Sequence, residues 1–272
     1  MTGGPWLPQA VNPAAPPTAP GAVIDAAAVE PRPWGPWATI GWTLLASAVG
    51  MFVALVIGFI VGIVVGFIAA VTQQASSVEE LLEANMGAFE LTAYLAMFAA
   101  ALAFFVIPIR VRRFRYAEYI RLTPCRLRHY LFALLAILLF VGIEHGLTVL
   151  LDRPMPESMT QLWQTSGSVV LLLFVVVIAG PIAEEMFFRG FLYRGLAGTR
   201  LGPALPILVT SLLWTAIHIQ YELPELTYIF VAGLLIGWSR HASGSIRPAI
   251  LMHVTMNAIA MAVLTAHYAE LS

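Results

Sequence analysis

Two adjacent carboxylates, Glu184 and Glu185, stand just ahead of Arg189 in a run that is otherwise apolar. Glu185 and Arg189 are spaced i and i+4 with the acid first, the order that favours an ion pair on one helix face. Pairing them leaves Glu184 about 100° away around the helix, without a partner there and free to act as a base. Pro181 interrupts the backbone hydrogen-bond ladder upstream and could kink the helix and admit water beside the acids. Two further i, i+4 pairs follow, Trp214 with His218 and His253 with Asn257. A carboxylate and an imidazole can take a proton from water, and N–H donors can hold an oxyanion. Together these groups can hydrolyse a peptide bond. On this chemistry Glu184 and His218 activate water and His253 and Asn257 hold the oxyanion, with Glu185, Arg189 and Trp214 in support.

The elements that must carry these residues are membrane helices. At 60% hydrophobic and 11% charged residues, the 272-residue chain is too apolar for a soluble core with a polar surface. Apolar runs occur near residues 37–71, 87–109, 129–151, 168–188, 203–220, 226–239 and 248–267. The expectation is an all-α polytopic transmembrane bundle of about seven spans, within a range of six to eight, with the catalytic core in the last four. Ionisable side chains inside such spans cost about 2.5–3.5 kcal/mol or more each, so the buried acids and histidines need a reason. If helices four and five form a hairpin turning near Leu201, Glu184 and His218 fall at similar depth. Three parts are expected: a disordered Pro/Ala-rich tail over 1–36, the first three spans with an arginine-rich loop over 37–167, and the catalytic core over 168–267.

Every basic residue is Arg, and the arginines alternate between loops. Arg110, Arg112, Arg113, Arg115, Arg121, Arg126 and Arg128 lie between spans two and three, and Arg189, Arg194 and Arg200 after the fourth begins to end. Arg240 and Arg247 flank the last turn, whereas the alternate loops hold Glu79, Glu80, Glu83, Glu90, Asp152, Glu157, Glu222 and Glu225 with only Arg153. The positive-inside rule therefore predicts a cytoplasmic N-terminus in a bacterial inner membrane, and a site that opens toward the cytoplasm because His253 follows Arg247 closely. Gly58, Gly62 and Gly66 form small-xxx-small repeats in the first span, read as close helix packing, within the bundle ahead of between protomers. Glu144-His145 fits no motif and reads as packing or cavity lining, and the lone Cys125 as a bystander.

The order Glu184-Glu185-x-x-x-Arg189, then Trp214-x-x-x-His218, then His253-x-x-x-Asn257 resembles the CAAX protease and bacteriocin-processing family, also called CPBP or Abi, of intramembrane endopeptidases. The run Gly233 to Gly237 and Ser243-Gly244-Ser245 fits the same pattern. The resemblance covers roughly residues 175–258, and Trp214 departs from the family's usual Phe. It implies an endopeptidase acting near the cytoplasmic membrane face on a peptide or membrane-protein substrate, in contact with the lipid bilayer and without nucleic acid. A metal-free mechanism is the favoured expectation, with zinc on Glu184, His218 and His253 as the alternative. Other classes are a non-catalytic binding, immunity or scaffold protein and a proton-coupled transporter, which also use membrane-embedded Glu and His.

Overall fold

Hydropathy, not helix propensity, decides the fold: in a bilayer each backbone N–H and C=O must be satisfied within its own segment, which leaves helices. The computed structural model describes residues 32–72, 78, 80, 82–83, 86–198 and 202–271, and among them it contains helices and no strand. In chain order, apart from a single turn at Tyr116–Tyr119, these are α1 Pro36–Thr72, α2 Met86–Val111, α3 Leu127–Leu150, the short α4 Glu157–Thr165, α5 Val169–Leu196, α6 Ala204–Ala216, α7 Leu223–Ser243 and α8 Arg247–Leu271. Five of them, α1, α2, α3, α5 and α8, are long and apolar enough to cross a membrane; with the shorter apolar α6 and with α7 the bundle has about the seven helices expected. The expected turn near Leu201 and most of the expected tail lie outside the described residues. The tail's last residues are docked, however: Trp34 Nε1 donates to the Pro108 carbonyl at 2.9 Å, and Arg112 lies 3.9 Å over the Trp34 ring.

The two ends of the bundle are chemically distinct. At one, the Arg121 carbonyl accepts from Ile246 N at 3.0 Å and Ser245 Oγ donates to the Thr123 carbonyl at 2.6 Å, so the arginine-rich loop is tied to the α7–α8 turn. At the other, acidic end, Arg153 pairs with Glu225 at 3.7 Å, and Gly87 N donates to Thr165 Oγ1 at 3.1 Å. Helix α4, which the hydropathy of its neighbours hides, is held at this end by a Trp163–Tyr268 stack at 5.3 Å.

Close packing concentrates toward the arginine-rich end. Phe105 stacks on Phe191 at 3.8 Å and 9°, Tyr119 lies 5.4 Å from Phe191, and Phe187 contacts both Phe98 and Phe105. Gly195 is obligatory here, because a Cβ would fall 1.8 Å from Thr39 Oγ1. The glycine repeat of α1 is used differently from the expectation. Gly50 meets α2 with no room for a Cβ, 2.6 Å from the Met97 carbonyl, whereas a Cβ on Gly62 or Gly66 would meet nothing within 4 Å. Of the repeat, Gly58 packs within the bundle, where a Cβ would stand 3.6 Å from the Phe89 ring, whereas the apolar side chains around Gly62 and Gly66 face outward, open to lipid or to a second protomer.

Candidate active site

Helix α5 is not uniformly α-helical. It is π-wound over Phe174–Ala179 and again over Met186–Leu192, with an α-helical stretch, Gly180–Glu185, between. Insertions of this kind are found where function sets the backbone. Pro181 lies inside this continuous helix and has no N–H to donate; the Val176 carbonyl five residues before it accepts from Asn257 Nδ2 instead, and the expected disturbance takes the form of rewinding. The result buries both adjacent acids, Glu184 at 5% and Glu185 at 0% exposure, although they point in different directions.

Glu185 turns into the protein. Its Oε1 lies 3.0 Å from Arg189 Nη1, the i, i+4 pair that the sequence predicts, and 3.1 Å from His253 Nδ1. Arg189 is wholly buried; its Nη2 donates to the Gly233 carbonyl at 3.2 Å, and its guanidinium lies 4.8 Å from the Trp214 ring. Gly233 permits this approach of α7, since a Cβ there would stand 3.0 Å from Ser211 Cβ and 3.1 Å from the Trp214 ring. The buried pair thus braces α5 against α7 and α8.

Glu184 turns into a cavity. One carboxylate oxygen accepts from the Tyr94 hydroxyl and the other from Trp214 Nε1. His253 Nε2 lies 3.9 Å from Glu184 Oε2. Because His253 Nδ1 faces the Glu185 carboxylate, that nitrogen carries the proton, and Nε2 is the atom presented to Glu184. His218 lines the same cavity one turn beyond Trp214, and its Nδ1 lies 2.8 Å from the Trp214 carbonyl. A carbonyl can only accept, so Nδ1 is the donor and Nε2 is left as an acceptor. Asn257 also lines the cavity, with Nδ2 donating to the Val176 carbonyl at 2.8 Å.

All seven predicted residues therefore meet in one region, but their neighbours differ from the sequence reading. His253, assigned to the oxyanion, is the imidazole at Glu184, and the residue of α6 that touches Glu184 is Trp214, not His218. Tyr94 was missed altogether: it comes from α2, which carries no motif, and a lone Tyr in a span reads as core or interface. Glu184, His218 and His253 do not gather into a ligand set. Among the described residues no group of three or more His, Cys, Asp or Glu could hold a metal ion.

The cavity measures about 500 Å³. Glu184, Trp214 and His253 form its deep end; from there its walls run through Val176, Met256 and Leu264 toward the acidic end, where Arg153, Tyr221 and Glu225 line it. Glu144 and His145 line it too, as cavity-lining residues. The expected opening toward the arginine-rich face is not met. The buried Arg189 and the Phe105–Phe191 stack fill that end, and every lining residue lies between Glu184 and the acidic loops. Proximity of His253 to Arg247 along the chain sets depth but not the direction of access. At the rim, burial pushes the Tyr221 phenol up, so it remains a neutral hydrogen-bonding group.

No solved structure matches the chain. An uncharacterized 24.3 kDa protein of Escherichia coli is 32% identical over 108 residues, which are 38% of this chain and 50% of that protein. The chain thus spans about half the length of the curated relative it matches. The family model described as type II CAAX prenyl endopeptidase Rce1-like matches residues 166–259, which take in both acids, Arg189, Trp214, both histidines and Asn257. Over that segment the chain is similar to the Rce1-like, CAAX-protease-like family that its motifs resemble, and its long apolar helices are those of a multi-pass membrane protein.

Proposed function

We propose that this protein is an intramembrane endopeptidase in which Glu184 is the general base. The observation that carries the reading is a buried carboxylate at the deep end of a cavity, held by Tyr94 and Trp214 with the His253 imidazole 3.9 Å away. Two neutral donors on separate oxygens fix the carboxylate without neutralising it. Glu184 takes a proton from water as the water oxygen bonds to the scissile carbonyl carbon, then delivers it to the leaving nitrogen as the C–N bond breaks. His218, through its free Nε2, assists in holding that water. The second amide hydrogen of Asn257 is the donor for the oxyanion, joined by His253 Nε2 in the imidazolium form, in which that nitrogen also carries a proton. Glu185 and Arg189 keep His253 oriented.

The substrate is a peptide or a membrane-protein segment that enters from the acidic end, and the lipid bilayer is the medium that delivers it. With the arginine-rich loops on the cytoplasmic side of a bacterial inner membrane, entry is from the opposite leaflet, in place of cleavage beside the cytoplasmic face. The reaction is read as metal-free. The filled arginine-rich end favours hydrolysis over passage of a solute. Comparing the membrane peptidome of wild-type cells with that of a Glu184→Gln strain is the test: uncut precursors accumulate in the variant, paired with missing fragments. Identical peptidomes, with the variant retaining its cellular role, would replace the protease by a binding or scaffold protein.

A further inference from the structure

The arginine-rich end gathers charge that the bundle leaves unneutralised. Arg240, at the end of α7, is only 5% exposed; its Nε donates to the Arg189 carbonyl at 3.1 Å, and its guanidinium lies 4.9 Å over the Tyr193 ring. Arg194, on α5, lies 5.4 Å over Phe114 and 5.6 Å over Tyr119, and its Nε is buried without a hydrogen-bond partner. Arg121 comes from the loop before α3. Its φ of 60° is left-handed, unusual for any residue but Gly and Asn, and its carbonyl is fixed by Ile246 N. Arg121 and Arg194 both lie close enough to Arg240, and to each other, for their like charges to act on one another.

Among the described residues the ion pairs are Arg153–Glu225, Arg189–Glu185 and those of His253, so no carboxylate answers these three guanidiniums. A topology signal explains exposed arginines such as Arg126 and Arg128, which reach water freely. It does not explain a buried Arg240 or a left-handed backbone at Arg121. Neighbouring guanidinium groups without a counter-charge, two of them held over aromatic faces, match phosphate oxygens, which they bind by parallel N–H···O bonds. We propose that Arg121, Arg194 and Arg240 form a binding site for a phosphate group, carried by an anionic phospholipid headgroup or by free phosphate. The site stands whether or not the chain is a protease.

The test follows the melting temperature of the detergent-solubilised full chain as dioleoylphosphatidylglycerol, dioleoylphosphatidylcholine or inorganic phosphate is added. Each variant is read against its own ligand-free melt, so loss of fold and loss of binding are separate. A rise with phosphatidylglycerol alone assigns the site to a headgroup; an equal rise with inorganic phosphate assigns it to the free ion. In either case apparent affinity falls about tenfold in Arg121→Asn/Arg194→Gln, since each removes a charged donor, and is unchanged in Arg126→Gln/Arg128→Gln. Asn tolerates the left-handed backbone, so Arg121→Asn alone serves if the double variant does not fold. No rise with either phosphate probe, or equal weakening in both double variants, overturns the site.

Discussion

Replacing Trp214 with Phe changes one hydrogen bond and little else. Phe is the residue that the family resemblance leads one to expect at this position, yet here the indole Nε1 donates to Glu184 Oε2. The substitution leaves Tyr94 as the one side chain that still donates to the carboxylate. A hydrogen bond to a charged group contributes about 1.5–3 kcal/mol, which converts to roughly 10- to 100-fold if it is lost only in positioning the base. The ring also shrinks by roughly 40 Å³ in a site that is 1% exposed, a void that costs about 1 kcal/mol of stability. The guanidinium of Arg189, 4.8 Å from the ring, keeps an aromatic face. The expected outcome is therefore a folded protein that melts slightly lower, with kcat reduced about tenfold or more and KM little changed. Cleavage by purified protein in proteoliposomes measures this, using a substrate recovered from the peptidome comparison. Tyr94→Phe falls in the same range, and the double variant's fold-loss is smaller than the product of the two single losses, because both act through one carboxylate. An unchanged kcat in Trp214→Phe, or a loss confined to KM, would refute the role of the indole in holding the base.

Three further outcomes are expected. Arg189→Met leaves Glu185 charged and buried without its cation, costing about 3–5 kcal/mol; the melting temperature drops, and adding Glu185→Gln recovers part of the loss. Dialysis against a chelator followed by assay in metal-free buffer leaves proteolysis unchanged, and activity that disappears and returns with zinc would end the metal-free reading. Cys125, the only cysteine and half-buried in the arginine-rich loop, reports orientation directly. A membrane-impermeant maleimide labels it in inverted vesicles and not in intact spheroplasts; the reverse pattern would invert the topology.

The sequence makes legible what depends on helical spacing. The Glu185–Arg189 pair, the two acids facing apart, and the inward faces of α6 and α8 all follow from i and i+4 separations, and the helices appear where the apolar runs lie. What packing decides is not legible. Tyr94 reaches Glu184 because α2 lies against the Gly180 turn of α5, where a Cβ would meet the Tyr94 ring at 3.3 Å. The π-winding on either side of Gly180–Glu185 has no signature in residue type, and the direction of the cavity is set by aromatic rings drawn from α2 and α5. His253 and His218 exchange places at Glu184 for the same reason: chain distance gives depth along a helix, whereas contact depends on how the helices turn.

A chamber plugged at its arginine-rich end has one direction for traffic. If the proposed hydrolysis takes place in it, substrate enters and both fragments leave toward the acidic rim, past Arg153 and Glu225. The fragment seated against Glu184 is the last to leave and blocks the next arrival until it does. For a hydrolase of this shape, clearance of the spent piece becomes a step in its own right, and turnover is expected to respond to fragment length and to the Arg153–Glu225 clasp as well as to the groups that make and break bonds.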